Sequence, residues 1–225
     1  MTRANMTTMT LSSLQLAGVL GAAALMTACA SPDPTLHTLY VRPAATDAGR
    51  FERAFRLSGV RVPDRLDKPQ IVLRTSDSEV QALEQQRWAS PFGSELRDAL
   101  SAQLAAALSA MDVGGGVVPA GVPLYRITAD MPSYDARPGQ SVAALVAWRV
   151  TRDAATPGTP GTPGASGAPA FACQATLTAP VAADASGSVD PVVSSTQQLV
   201  LQWSAQIVQS VQALESHASA PAGCR

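Results

Sequence analysis

Three cysteines, two histidines and a pair of aspartates are the side chains in this chain best suited to chemistry. His37 and His217 are the only histidines, and neither has ligand spacing to a second histidine or to a nearby acidic pair, so no metal site is expected. Asp64 and Asp67 flank a proline-rich turn, where aspartate serves the backbone through hydrogen bonding more readily than it serves acid–base catalysis. Gly114-Gly115-Gly116 lacks the lysine and the strand–turn–helix setting of a phosphate cradle and reads as a helix stop. There is no Gly-x-Ser-x-Gly elbow and no His-Glu-x-x-His pair. The pattern gives no support to an enzyme or to a bound cofactor.

The cysteines carry more. Cys29 closes Leu25-Met26-Thr27-Ala28-Cys29, directly after the apolar run Leu16 to Met26. A helix of that length rises about 16 Å at ~1.5 Å per residue, short of a ~30 Å hydrocarbon core, and so reads as the apolar part of a secretory signal. The closing residues resemble a bacterial lipobox, in which a small residue precedes the cysteine that is lipidated and becomes the new N-terminus. Met26 stands where such boxes usually carry Leu or Val, and Arg3 is the only base near the start. The resemblance implies residues 1–28 as a lipoprotein signal peptide, lipid attachment at Cys29 and, since Ala30 rather than Asp follows, sorting to the periplasmic face of the outer membrane. Several acyl chains would anchor firmly where one binds only marginally. Cys173 and Cys224 remain; in an oxidising periplasm they either pair, pinning the tail, or stand as two free thiols.

Loss of residues 1–28 leaves 197, enough for one good core. Sixteen basic residues against 17 acidic ones leave no basic footprint for nucleic acid, and Lys68 is the only lysine. No second apolar segment reaches membrane-spanning length, so the mature chain is expected to be soluble apart from its anchor.

Residues 29–35 form a short polar tether. Strands are expected over Leu36–Val41, Phe55–Val62 and Gln70–Thr75, with a short edge strand over Glu79–Leu83. Ser90-Pro91 signals a helix start, with Ser90 as N-cap and Pro91 at the first helical position; Leu96, Leu100, Leu104 and Leu108 carry an amphipathic helix to about Met111. Strands follow over Leu124–Ala129, Val142–Thr151 and Phe171–Thr178. Between the last two, residues 154–170 repeat Thr-Pro-Gly and have nothing to bury, which reads as a flexible insertion. Asp190-Pro191 repeats the cap signal and opens a helix to about Glu215, with Val193, Val200, Ile207, Val211 and Leu214 on one face. Its glutamine-rich sides are either solvated or packed on a partner subunit. Residues 217–225 form a small polar tail. The order β-β-β-α-β-β-β-α predicts a single α+β domain over 36–216, a largely antiparallel sheet packed by two helices.

The run Val60-Arg61-Val62-Pro63-Asp64-Arg65-Leu66-Asp67-Lys68-Pro69-Gln70-Ile71-Val72 resembles the Val-x-Val-Pro-x-x-Leu-x-x-Pro hairpin of the ABC-type transport auxiliary lipoproteins, the PqiC/YmbA family. Arg87-Trp88-Ala89-Ser90-Pro91-Phe92 resembles that family's Trp-Ala-x-Pro-Leu signature, with Phe92 for the usual leucine, and Leu96 to Leu104 continues into its helix. Val62, Pro63, Leu66, Pro69, Trp88 and Pro91 are thus the family-motif residues; Pro63 and Pro69 frame a turn, and Trp88 is expected in the core. The resemblance implies an auxiliary subunit of a trans-envelope lipid transport system built on an MCE-domain protein, acting by tethering and docking and without an ATP site of its own. It also admits a homo-oligomer around the conduit, which the sequence does not specify. Two other readings stand beside it: a periplasmic carrier that holds lipid in a groove, and a general envelope assembly lipoprotein.

Overall fold

The computed structural model describes residues 32–43, 51–153, 169–183 and 187–225. Cys29, the expected signal peptide and nearly all of the Thr-Pro-Gly segment lie outside the described residues. Pro34–Arg225 form one compact unit. The α+β class with two helices is as expected, but the strands divide between two sheets. The three-stranded sheet holds β1 (Thr35–His37), β4 (Val80–Trp88) and β3 (Gln70–Arg74), in that order. The five-stranded sheet has the order β5 (Ala110–Asp112), β2 (Arg53–Arg61), β6 (Leu124–Arg137), β7 (Ser141–Arg152), β8 (Ala170–Pro180). β6, β7 and β8 are antiparallel, whereas β2 runs parallel to both β5 and β6, and β1 runs parallel to β4.

In the five-stranded sheet two bulges set which residues face inward. In β2 the register slips between Leu57 and Val60, so Ser58-Gly59 oppose one partner residue. The buried phase changes from Phe55 and Leu57 to Val60, a shift that the sequence already contains at Ser58-Gly59. β6 slips between Asp130 and Ser133, around Pro132, which can sit there because a bulge does not require its missing N–H. That slip turns Tyr134 and Ala136 into the core after Ile127, Ala129 and Met131.

Helix α1 (Phe92–Ala107) packs over β2 and β5, α2 (Asp190–Glu215) over β7 and β8, and the helices pack against each other. All five apolar residues expected on the inner face of α2 are buried, with Leu199 and Trp203 beside them. Among the described residues no helix is long and apolar enough to cross a membrane.

Several local expectations are corrected. The first strand ends at His37; Thr38 to Val41 leave the sheet so that Leu39 can bury fully against the helices. The short edge strand at Glu79–Leu83 is the start of a nine-residue strand at the centre of its sheet. Helix α1 stops at Ala107, because Ser109 takes a left-handed φ of 47° that breaks the helical path. Met111 then lies in β5, and the three glycines follow that strand rather than stopping the helix. The N-cap positions are Pro91 and Val189, one residue away from the expected Ser90 and Asp190. Ser90 Oγ instead donates to Glu95 Oε1 at 3.0 Å. The run Val62–Pro69 is not a hairpin: β2 and β3 belong to different sheets, and the turn carries the chain from one to the other.

The tail is also ordered. Cys173 in β8 and Cys224 are joined by a disulfide. Residues 223–225 lie antiparallel along the outer edge of β8, with Gln174 N donating to Gly223 O at 2.9 Å and Ala172 and Arg225 exchanging two bonds of 3.0 Å. Gly223 has φ +80°, and a Cβ there would stand 2.6 Å from Gln174 O, so only glycine allows this approach.

Candidate functional site: the junction at the start of helix α1

The family-motif residues converge where α1 begins. Leu66 N donates to Pro63 O at 2.8 Å, which closes the crossover turn and buries Leu66. Trp88 N donates to Pro69 O at 2.6 Å, joining the two sequence signatures directly. Trp88, only 3% exposed, stacks on Phe92 with ring centroids 5.4 Å apart, and Phe92 meets Tyr134 at 4.9 Å in a tilted arrangement. Tyr134 Oη lies 2.8 Å from Thr196 Oγ1 on α2. Burial pushes the Tyr134 hydroxyl above its ordinary range, so it stays a neutral partner. The aromatic series therefore links the small sheet, α1, the large sheet and α2. Val62 packs against buried Gly93, whose missing Cβ would stand 3.0 Å from Val60 O. Pro63 and Pro69 are half-buried, and Pro91 is exposed at the helix start.

Glu95, on the first turn of α1 where a carboxylate suits the helix dipole, is buried. Its Oε2 accepts from Leu39 N and from Thr38 Oγ1, both at 2.9 Å, while Oε1 accepts from Ser90. Gln197 Nε2 donates to Thr38 O at 3.1 Å, and Gln103 Nε2 to Val41 O at 2.7 Å. His37 joins the same network. Its side chain is 11% exposed, with Nε2 2.7 Å from Gln86 Oε1 and Nδ1 3.6 Å from Asp190 Oδ1. The N-terminal segment is thereby clamped to both helices and to β4. No spacing signal marks this clamp, because its parts are about 50 to 160 residues apart in the chain. Replacement of Glu95 by alanine leaves Leu39 N–H without its acceptor and is expected to cost about 2 kcal/mol. Limited proteolysis should then cut within residues 38–43 faster, and an unchanged cleavage rate would refute the clamp.

Ion pairs hold the periphery. Burial alone would raise the Glu215 carboxyl, but hydrogen bonds from Arg53 (2.5 Å) and Tyr125 (2.9 Å) outweigh it and hold Glu215 below the usual carboxylate range. Asp135 is held low in the same way, burial being outweighed by Arg74 and Arg137. Burial, and then the bond to Glu215, push the Tyr125 hydroxyl up to about 12. Because both carboxyls are depressed in the folded state, their stabilisation is complete above roughly pH 5 and is lost as pH falls through their folded values. The Tyr125 contribution is present below about pH 10 and is lost as pH rises toward 12. Denaturation midpoints measured from pH 7 to 2.5 should fall, and Glu215→Gln should flatten that fall. An equally steep fall in the variant would contradict the assignment.

Among the described residues no group of three or more His, Cys, Asp or Glu is placed to hold a metal ion. The junction is packed and hydrogen-bonded, an arrangement that fixes one segment against another rather than activating a nucleophile.

This fold and signature define a transport-accessory class. The model of the ABC-type transport auxiliary lipoprotein component family matches residues 37–208, and the chain belongs to that family of transport auxiliary components. A solved structure of an uncharacterized protein is similar over 80% of this chain and 99% of its own, at 20% identity and a TM-score of 0.57. A protein of Xanthomonas campestris from the DUF330 family is similar over 81% of this chain and 98% of its own, at 14% identity and a TM-score of 0.54. Both likenesses are of fold. Comparison with curated proteins gives no match.

Proposed function

We propose that this protein is a lipid-anchored adaptor at the periplasmic face of the outer membrane, serving an MCE-type trans-envelope lipid transport system by tethering and docking. The observation that carries the reading is membership of the transport auxiliary lipoprotein family. In this reading Cys29 holds the acyl chains, and the folded domain receives the distal end of a periplasmic MCE-domain assembly.

The clamp around Glu95 supports it mechanically. A six-residue connection from Cys29 to Thr35 spans at most about 20 Å, and a domain fixed at Leu39 transmits that short tether as a firm attachment. The inter-sheet cleft favours an adaptor over a carrier that engulfs lipid. The cleft between the two sheets is about 190 Å³, below the roughly 300–1,000 Å³ of pockets that enclose small molecules, and a second, of about 370 Å³ beside the start of α1, is more open. Cys29→Ser tests the anchor: the variant should fold, with the same far-ultraviolet spectrum and melting point, yet leave the outer-membrane fraction. Retention in that fraction in a strain lacking MCE-domain proteins would end the anchoring argument.

A further inference from the structure

We infer that the cleft between the two sheets is a binding site for the anionic headgroup of a membrane phospholipid; the inference rests on the anchored reading above. Its apolar floor includes Val72 and Ala82, which are paired in the small sheet, and Val80, 52% exposed, which pairs with Arg74. Arg65 and Lys68, from the crossover turn, stand at its rim. Arg74 is held by Asp135, which also accepts from Arg137 at 3.0 Å, so the one carboxylate in the lining is already neutralised. Among the described residues the charged groups of the Arg65 and Lys68 side chains have no hydrogen-bond or ion-pair partner, leaving two unneutralised cations beside an apolar floor. Asp67, from the same turn, lines the other cleft instead. An apolar surface bordered by free cations suits a phosphate joined to an apolar group, because charge-assisted bonds hold the oxygens while the floor covers the adjoining carbons. The volume matches a headgroup and not two acyl chains, which would stay in the bilayer.

The direction of the chain supplies the source. β1 is parallel to β4, with Thr35 opposite Gln86, so the backbone reaches Thr35 from the Val80 end of β4. Strands lie ~4.8 Å apart, which puts β1 and β3 about 10 Å from each other across the same sheet. A tether of six residues, at most about 20 Å long, leaves a bilayer lipid within reach of that end of the sheet.

Lys68 is the only lysine of the chain, and acylation of Cys29 would block the terminal amine, so an amine-reactive acetylating reagent reports on this one position. The lipidated protein is reconstituted into vesicles of phosphatidylcholine alone or mixed with phosphatidylglycerol, and Lys68 acetylation is followed by mass spectrometry. Acetylation should slow several-fold in the phosphatidylglycerol vesicles, and Val80→Asp, which places a carboxylate on the exposed floor, should remove that difference. Equal rates in the two vesicles, or protection that survives Val80→Asp, would overturn the site, the latter by assigning protection to the general field of the surface. Equal protection by free glycerol phosphate would overturn the lipid source. Flotation separates the two readings. A chain that fails to float with either vesicle refutes the anchor, and protection of its Lys68 by soluble dihexanoyl phosphatidylglycerol would still decide the cleft, for or against.

Discussion

Replacing Trp88 by alanine is expected to destabilise the protein by about 3–5 kcal/mol, the range for removing a large buried aromatic side chain. The indole is 3% exposed and is the first member of the series through Phe92 and Tyr134 to Thr196. Its loss opens a cavity at the point where both sheets and both helices meet, so no single element can collapse to fill it. Against a total stability of about 5–15 kcal/mol for a domain, this is a large fraction. Trp88→Phe should recover part of the loss, because a ring remains to stack on Phe92. Urea unfolding followed by circular dichroism gives the difference directly. A loss under about 1 kcal/mol would mean that the signature tryptophan is not structural and would turn attention to partner contact.

The second large effect is expected at the tail. Cys224→Ser releases a crosslink spanning 51 residues, worth about 4 kcal/mol on the chain-entropy view. It also frees residues 223–225 from the edge of β8, exposing the backbone groups of Ala172 and Gln174. Gly223→Ala should displace the same segment with the disulfide intact, since its Cβ would meet Gln174 O at 2.6 Å. Ser210 Oγ, 3.7 Å from both sulfurs and bonded to the Trp148 indole at 3.0 Å, places the crosslink against the core rather than at a loose end. Melting with and without dithiothreitol, together with hydrogen exchange at Ala172 and Gln174, measures both consequences. Equal melting temperatures in the two conditions would contradict them.

Much of this architecture can be read from local pattern, and what cannot has identifiable causes. Both helices are legible because apolar residues recur at helical spacing, and the buried face of α2 is the expected one. The six family-motif residues were recognisable by order, and the reason they cohere is the bond from Trp88 to Pro69 and the contact of Val62 with Gly93. The division into two sheets was not legible. Val62–Pro69 has the composition of a hairpin turn, and only tertiary pairing sends β3 to β4 instead of back to β2. Parallel pairing of β2 with β5 and β6 joins segments with no local signal between them. Glu95 in the first helical turn looks like an ordinary dipole partner. Its burial follows from Leu39 reaching α1 across 56 residues. The rim of the inter-sheet cleft was hidden for a related reason: Arg65, Lys68 and Arg74 are close in sequence, but the apolar surface beside them comes partly from β4 and β6.

The adaptor reading is tested most directly by crosslinking the tagged, lipidated protein in intact envelopes and identifying the captured proteins and lipids by mass spectrometry. The account predicts recovery of a periplasmic MCE-domain protein, with crosslinks on the folded domain and an acylated Cys29 peptide. A stoichiometric lipid adduct with no MCE-domain protein would contradict it and identify the domain as a carrier.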